Sequence, residues 1–170
     1  KISKIYGINS DTKNKNSYLK DIFIRSKEGD EVKFPTNNVE KCGNVITLSE
    51  NHEKSILEAE KIISSIVLRL EPNNEETTKF LEQDLDTNFP PSAFNTKLDL
   101  ENLEQIAMEI ETSSLRDWNY RTIKETIKLF TEISNCEIFI SNEKFWHYLL
   151  RGGIQGALYY FDSFHDDRVE

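Results

Sequence analysis

The densest group of side chains able to hold a cation lies near the end of the chain. Asp162, His165, Asp166 and Asp167 put one imidazole and three carboxylates within six positions, the donor types that suit a divalent metal. The plainer reading is a polar edge that solubilises the aromatic segment before it, and ligands near a terminus are often mobile and bind metal poorly. Asp84-Leu85-Asp86 repeats the spacing of metal-dependent sugar transferases. A three-residue pattern is frequent by chance in so acidic a stretch, and the alternation of strand and helix those enzymes use is missing. Gly152, Gly153 and Gly156 lack the preceding strand and the following Lys-Ser/Thr of a phosphate loop, so helix termination and close packing account for them better. His52 would sit in a helix's first turn, where the positive end of the dipole keeps it neutral. His147 lies among Phe145, Trp146 and Tyr148, the setting of a core or interface histidine. No Walker A, GxGxxG, HExxH, CxxC or GxSxG pattern occurs, and no serine or cysteine is paired with a histidine by local sequence. The expectation is no catalytic residue, no metal and no cofactor.

Charge is the stronger signal. From Glu71 to Asp117 there are twelve Asp/Glu against three Lys/Arg, a balance of −9 that equals the formal net charge of the whole chain. A field of one sign concentrated on part of a surface steers partners of the opposite sign. A charge run usually means only a solvated face. This one also carries helical patterning, so it reads as a folded acidic surface for a basic partner. The candidate partner-binding residues are Glu71, Glu75, Glu76, Glu82, Asp84, Asp86, Glu101, Glu104, Met108, Glu111 and Trp118. Aromatics beside a charged ridge have the composition of an interface hot spot with a polar rim. Closing the core at a helix end is the other reading of Trp118, and Phe89 and Phe94, flanking Pro90-Pro91, read as loop anchors.

The elements that must position these residues follow from hydrophobic period. The first third reads as β: Lys1–Ile8, Tyr18–Arg25, a turn at Glu28-Gly29-Asp30 with a returning strand at Glu31–Phe34, and a short strand at Asn44–Leu48. The period then changes to 3.6. Ser49 is placed to cap a helix whose stripe runs through Ile56, Ala59, Ile63, Ile66, Val67 and Leu70 up to Pro72. Asn74 can cap a second helix holding Phe80, Leu81 and Leu85. A third runs from about Asp99 to Thr112, with Leu100, Leu103, Ile106, Ala107 and Ile110 inward and Glu101, Glu104 and Glu111 as a ridge around Met108. Ser114–Asp117 resembles a capping box for a fourth helix through Ser134. Cys136–Ser141 alternates as a strand, Asn142 can cap a fifth helix through Leu150, and Gly152 is placed to end it. Ile154–Phe164 is apolar enough to be buried, as helix or strand. The fold class is therefore α+β: a β-rich N-terminal region with a hairpin, then about five helices and one further short strand.

The bulk numbers bound the rest. The 170 residues are most simply one domain over 1–170. Hydrophobic and charged fractions of 37% and 30% are ordinary for a soluble globular chain. The apolar runs fall far short of the roughly 18–20 residues a membrane span needs, and an acidic chain is the reverse of a nucleic-acid footprint. Cys42 and Cys136 match no metal spacing; they read as small buried thiols of a reducing cytosol, with one bridge between them as the alternative. No signal peptide is visible. Asn, Lys and Ile are abundant, as in an AT-rich gene.

With its small size, AT-rich composition and missing catalytic motifs, and with Glu71, Glu75, Glu76, Glu82, Asp84, Asp86, Glu101, Glu104, Glu109 and Glu111 as its acidic surface, the chain resembles a bacterial immunity protein of the contact-dependent growth-inhibition type. The resemblance implies a cytosolic, non-enzymatic inhibitor that binds a basic toxin domain, commonly a nuclease, and blocks its active site or substrate groove. Two other classes stay open: an adaptor or assembly subunit read through its aromatic C-terminal segment, and a small metal-dependent enzyme using the Asp162–Asp167 cluster.

Overall fold

Two strands form where the alternation places them, β1 (Ile2–Tyr6) and β2 (Leu19–Ile24). The computed structural model describes residues 1–8, 16–85, 89–96, 101–136 and 142–165. The chain divides into two compact units, 1–70 and 71–170, with the boundary where the acidic stretch begins. That division by itself leaves the expectation of one domain undecided.

In the first unit, β2 pairs antiparallel with β3 (Gly43–Thr47), Leu19 opposite Thr47 and Ile24 opposite Gly43. The hairpin thus closes on a more distant strand than the sequence suggests. Glu31–Phe34, expected as the returning strand, belongs to no ladder among the described residues, and Pro35 after it has no N–H to donate. The turn before it does form. The Asp30 N–H donates to Lys27 O at 3.1 Å and Gly29 takes φ +90°, a conformation that glycine adopts without penalty. The turn meets β1: Gly29 N–H donates to Ile2 O at 2.8 Å and Ile2 N–H to Asp30 O at 2.9 Å.

Helix α1 (His52–Ser65) is capped by Asn51, whose side chain accepts from the Lys54 N–H, and Ser49 lies outside it. It stops before Ile66. Val67–Leu70 forms β4, antiparallel to β1 with Tyr6 opposite Val67 and Ile2 opposite Leu70. The run Ile62–Leu70 satisfies both a helical and a strand pattern, so periodicity alone cannot end the helix. Pairing with β1 decides it and buries Val67 and Ile2 completely.

In the second unit, Asn74 caps α2 (Glu75–Leu81) as expected, though Leu85 lies beyond it. Helix α3 (Leu103–Thr112) starts at Asn102; Asp99 and Leu100 lie outside the described residues. Helix α4 (Ile123–Ser134) opens on a complete capping box made by Thr122 and Glu125, which corrects the assignment to Ser114–Asp117. Of the strand expected at Cys136–Ser141, residues 137–141 lie outside the described residues.

Helix α5 (Glu143–Phe164) is capped by Asn142, and its single non-helical residue is Gly153, with φ +63° and ψ −146°. There the helix folds back. Asn142 Nδ2 donates to the Tyr160 hydroxyl at 2.7 Å, and Phe145 and Tyr160 meet edge-on at 5.8 Å. In a straight helix residues eighteen apart would be separated by ~27 Å. The arms touch so closely at Gly156 that a Cβ there would collide with the Tyr148 carbonyl oxygen. The break frees two carbonyls that helical bonding would otherwise use. Residues of the loop after Pro91 satisfy them: Phe94 N–H donates to Leu150 O at 3.1 Å and Ala93 N–H to Arg151 O at 3.0 Å. Phe94 is fully buried in this way, an anchor as expected, while Phe89 is exposed. The doubled helix carries most of the unit's core, with Trp146, Tyr148, Leu149, Leu150, Ile154, Ala157, Leu158 and Tyr159 all inaccessible to solvent. Helix α2 packs on α5, and α3 on α4. The fold is α+β, with five helices and four strands in two antiparallel pairs among the described residues.

Candidate functional site

The acidic candidates separate onto two elements with different packing partners. Glu75 and Glu76 occupy the first turn of α2, where carboxylates offset the positive end of the helix dipole. Glu71 is exposed just before it. Glu82 caps the far end, accepting from the Tyr148 hydroxyl at 3.0 Å and pairing with Lys144 at 3.0 Å. The Lys144 ammonium and the Tyr148 hydroxyl hold the Glu82 carboxyl below its ordinary range. Burial and the Glu82 carboxylate push the Tyr148 hydroxyl upward. Glu75, Glu82, Lys79 and Phe164 border an open depression of about 540 Å³. Asp84 is exposed; Asp86 lies outside the described residues.

On α3 the chain has acids and no base between Leu103 and Thr112. Glu104, Met108 and Glu111 recur at the i, i+4, i+7 spacing of one helix face. All three are exposed, Met108 to 61%. Glu101 is also exposed but precedes the cap at Asn102, so it flanks the ridge and is not part of the helix. Ala107, expected inward, is exposed; Ile106 is fully buried. Glu111 reaches Lys124 in the first turn of α4 at 2.7 Å.

Between α3 and α4 the chain builds a tight loop. Arg116 and Thr122 form an isolated antiparallel bridge. Asp117 Oδ1 accepts from the Asn119 and Arg121 N–H groups, both at 2.9 Å, and Asp117 N–H donates to Arg121 O at 2.7 Å. Asp117 Oδ2 faces Arg121 Nη1 at 3.5 Å, and both side chains are 1% exposed. Burial pushes the Asp117 carboxyl up and the Arg121 guanidinium down from their ordinary values. Both directions say that desolvation outweighs the attraction within the pair. Within the loop Trp118 is 38% exposed, and Tyr120 is 41% exposed and held at φ +67°. The sequence suggests Trp118, with Tyr120 close by after the acidic stretch, as contact aromatics, but the buried Asp117–Arg121 pair is not anticipated there. The available signal was an Asp and an Arg four apart with two aromatics between them.

The remaining candidates for chemistry resolve modestly. His147 Nε2 lies 3.0 Å from Gln83 O, a satisfied histidine at the rim of the core. Cys136 Sγ is 3.6 Å from His165 Nε2, a pairing that local sequence does not show. Cys42 and Cys136, expected as buried thiols, are half-buried and form no disulfide. Of the terminal cluster, Asp166 and Asp167 lie outside the described residues. No group of three or more His, Cys, Asp or Glu among the described residues could hold a metal ion, and no described helix is long and apolar enough to cross a membrane. Excess chelator should leave the unfolding midpoint unchanged in calorimetry. A fall that added divalent metal reverses would restore the metal reading. No family model matches the chain, and no curated protein or solved structure matches it significantly.

Proposed function

We propose that this chain is a non-enzymatic inhibitor of the immunity type, which binds a basic toxin domain through an acidic surface centred on α3. The observation that carries this reading is a helix without a single base that presents Glu104, Met108 and Glu111 on one exposed face. Opposite fields raise the association rate and fix orientation, and an exposed thioether among carboxylates is an adaptable apolar centre with a charged rim. The resemblance supplies the partner class, a nuclease domain whose substrate groove is basic, and the cytosol as the place of action. The adaptor reading loses ground because much of the aromatic C-terminal segment is spent on the core: Tyr159 and Phe161 are buried and Tyr160 is half-buried, with Phe164 exposed.

The test takes whichever large secreted protein with a basic C-terminal domain the genes beside this one encode, and measures binding to that domain. Glu104→Lys with Glu111→Lys should slow association by roughly tenfold at low salt, with the difference shrinking as salt rises. Folding should hardly change, since exposed charges contribute little stability. Unchanged association in the double reversal would reduce α3 to a solvated face.

A further inference from the structure

Glu104, Ala107, Met108 and Glu111 occupy positions i, i+3, i+4 and i+7 of α3. On a helix four such positions close a diamond, the hole that a side chain of a second helix enters when two helices pack. All four residues are exposed. The diamond lies on the side of α3 away from its anchor, where Ile106 is fully buried and Ile110 half-buried. Its long axis runs from Glu104 to Glu111, about 10 Å along the helix. Its waist is Ala107 on one side and Met108 on the other. A single methyl group at Ala107 leaves the surface low enough for another backbone to approach, and the Met108 thioether is an adaptable apolar wall. The face is thus apolar at its middle and acidic at both ends. Glu111 pairs with Lys124 at 2.7 Å, which ties the last turn of α3 to α4 and fixes the direction in which the diamond faces.

We infer that this diamond receives a basic amphipathic helix of the partner: an apolar side chain enters between Ala107 and Met108, and Lys or Arg residues four positions to either side of it meet Glu104 and Glu111. This rests on the proposed function and names the element of the partner that the α3 face selects. The spacing matches, since four residues of helix advance about 6 Å and each acid lies about 5 Å along the axis from the middle of the diamond. A second copy of this chain does not fit. Two α3 faces would set carboxylate against carboxylate, and neither helix holds a base. Charge brings the partner in and sets its orientation, while the apolar contact chooses among cationic surfaces by register.

The experiment titrates the full chain with two alanine-based helical peptides of the same composition, at low ionic strength, by calorimetry. Both carry two lysines eight positions apart on one helix face. In the first a leucine lies midway between them; in the second the leucine is moved two positions, which turns it to the far side of the helix. Circular dichroism checks that both are equally helical. The first peptide should bind roughly fivefold more tightly. Ala107→Glu fills the waist of the diamond while adding negative charge, and glutamate is a good helix former, so the fold is kept. This variant should bind the two peptides equally. Glu104→Lys with Glu111→Lys should abolish binding of both. Equal affinities of the unmodified chain for the two peptides, a difference that survives Ala107→Glu, or binding of neither peptide overturns the docking mode. If the affinities are equal and the double reversal still weakens both, the acidic surface stands and only the helical partner falls.

Discussion

Gly156→Ala should lower the unfolding midpoint by roughly 10 °C. At this residue the second arm of α5 crosses the first, and an added methyl would run into the Tyr148 carbonyl oxygen. A backbone atom cannot rotate aside as a side chain can, so the two arms must separate. Overpacking a close-packed core costs about 1–3 kcal/mol and more where the backbone has to move. For a chain of this length ~3 kcal/mol corresponds to a shift of roughly 6–12 °C. Separation would also disturb the ring contacts that bind the arms, among them Phe145 with Tyr160 and Tyr148 with Phe164. Gly152→Ala is the internal control. Its added carbon would meet only the tip of the Leu81 side chain, which can turn away, so its effect should be clearly smaller. Thermal denaturation of both variants decides the matter: equal midpoints would mean that the arms do not meet as described.

Arg151→Met should cost a similar or larger amount, about 4 kcal/mol. Arg151 is fully buried. Its Nη1 donates to Pro90 O at 2.6 Å, its Nη2 to Gln83 Oε1 at 2.9 Å and its Nε to Phe80 O at 3.2 Å, with the guanidinium 4.3 Å above the Phe80 ring. None of these acceptors is a carboxylate. Burial pulls the guanidinium below its ordinary pKa, yet an arginine begins so far above neutrality that it stays charged. It is held by dipoles and a ring face. Methionine matches the stem but orphans buried acceptors, each costing about 1–3 kcal/mol. Arg151→Lys separates charge from shape. Lysine keeps the cation and loses the fork, so a midpoint between those of the methionine variant and the unmodified chain is expected. A lysine variant as stable as the original would show that the fork is dispensable. Both substitutions should also loosen the link to residues 80–85, visible as faster amide exchange there than in α4.

How much of this was legible in the sequence depended on how local each cause is. The caps at Asn74 and Asn142 could be read because an Asn side chain bonding three residues ahead involves nothing else. The sequence sets Gly152 to end the fifth helix after Leu150, whereas the break falls at Gly153 and α5 runs on to Phe164; the close approach expected of these glycines is seen at Gly156, but the fold-back needs the aromatic contacts of both arms at once. The end of α1 was misplaced because only the distant β1 makes Val67–Leu70 a strand. The capping box was placed on Ser114–Asp117 because the pattern is weak there and Asp117 is engaged in a buried pair that composition argues against. On α3 the exposed face was correct at Glu104, Met108 and Glu111, since one helix fixes it by geometry alone. Whether those acids and the α2 acids serve one surface was beyond periodicity, which carries no information between elements.

The fold-back of α5 also has a consequence in time. Its two arms meet through residues at most about twenty apart, so they can find each other locally, whereas Arg151 must reach residues some sixty to seventy positions upstream. Local closure is quick, and long-range closure bears the greater entropy cost before any contact repays it. During synthesis the acidic stretch emerges first and has no core to lie on until the last helix is made. Like charge opposes collapse of that waiting segment on itself. The same carboxylates that would meet a partner thus act earlier, as the segment's own protection from aggregation.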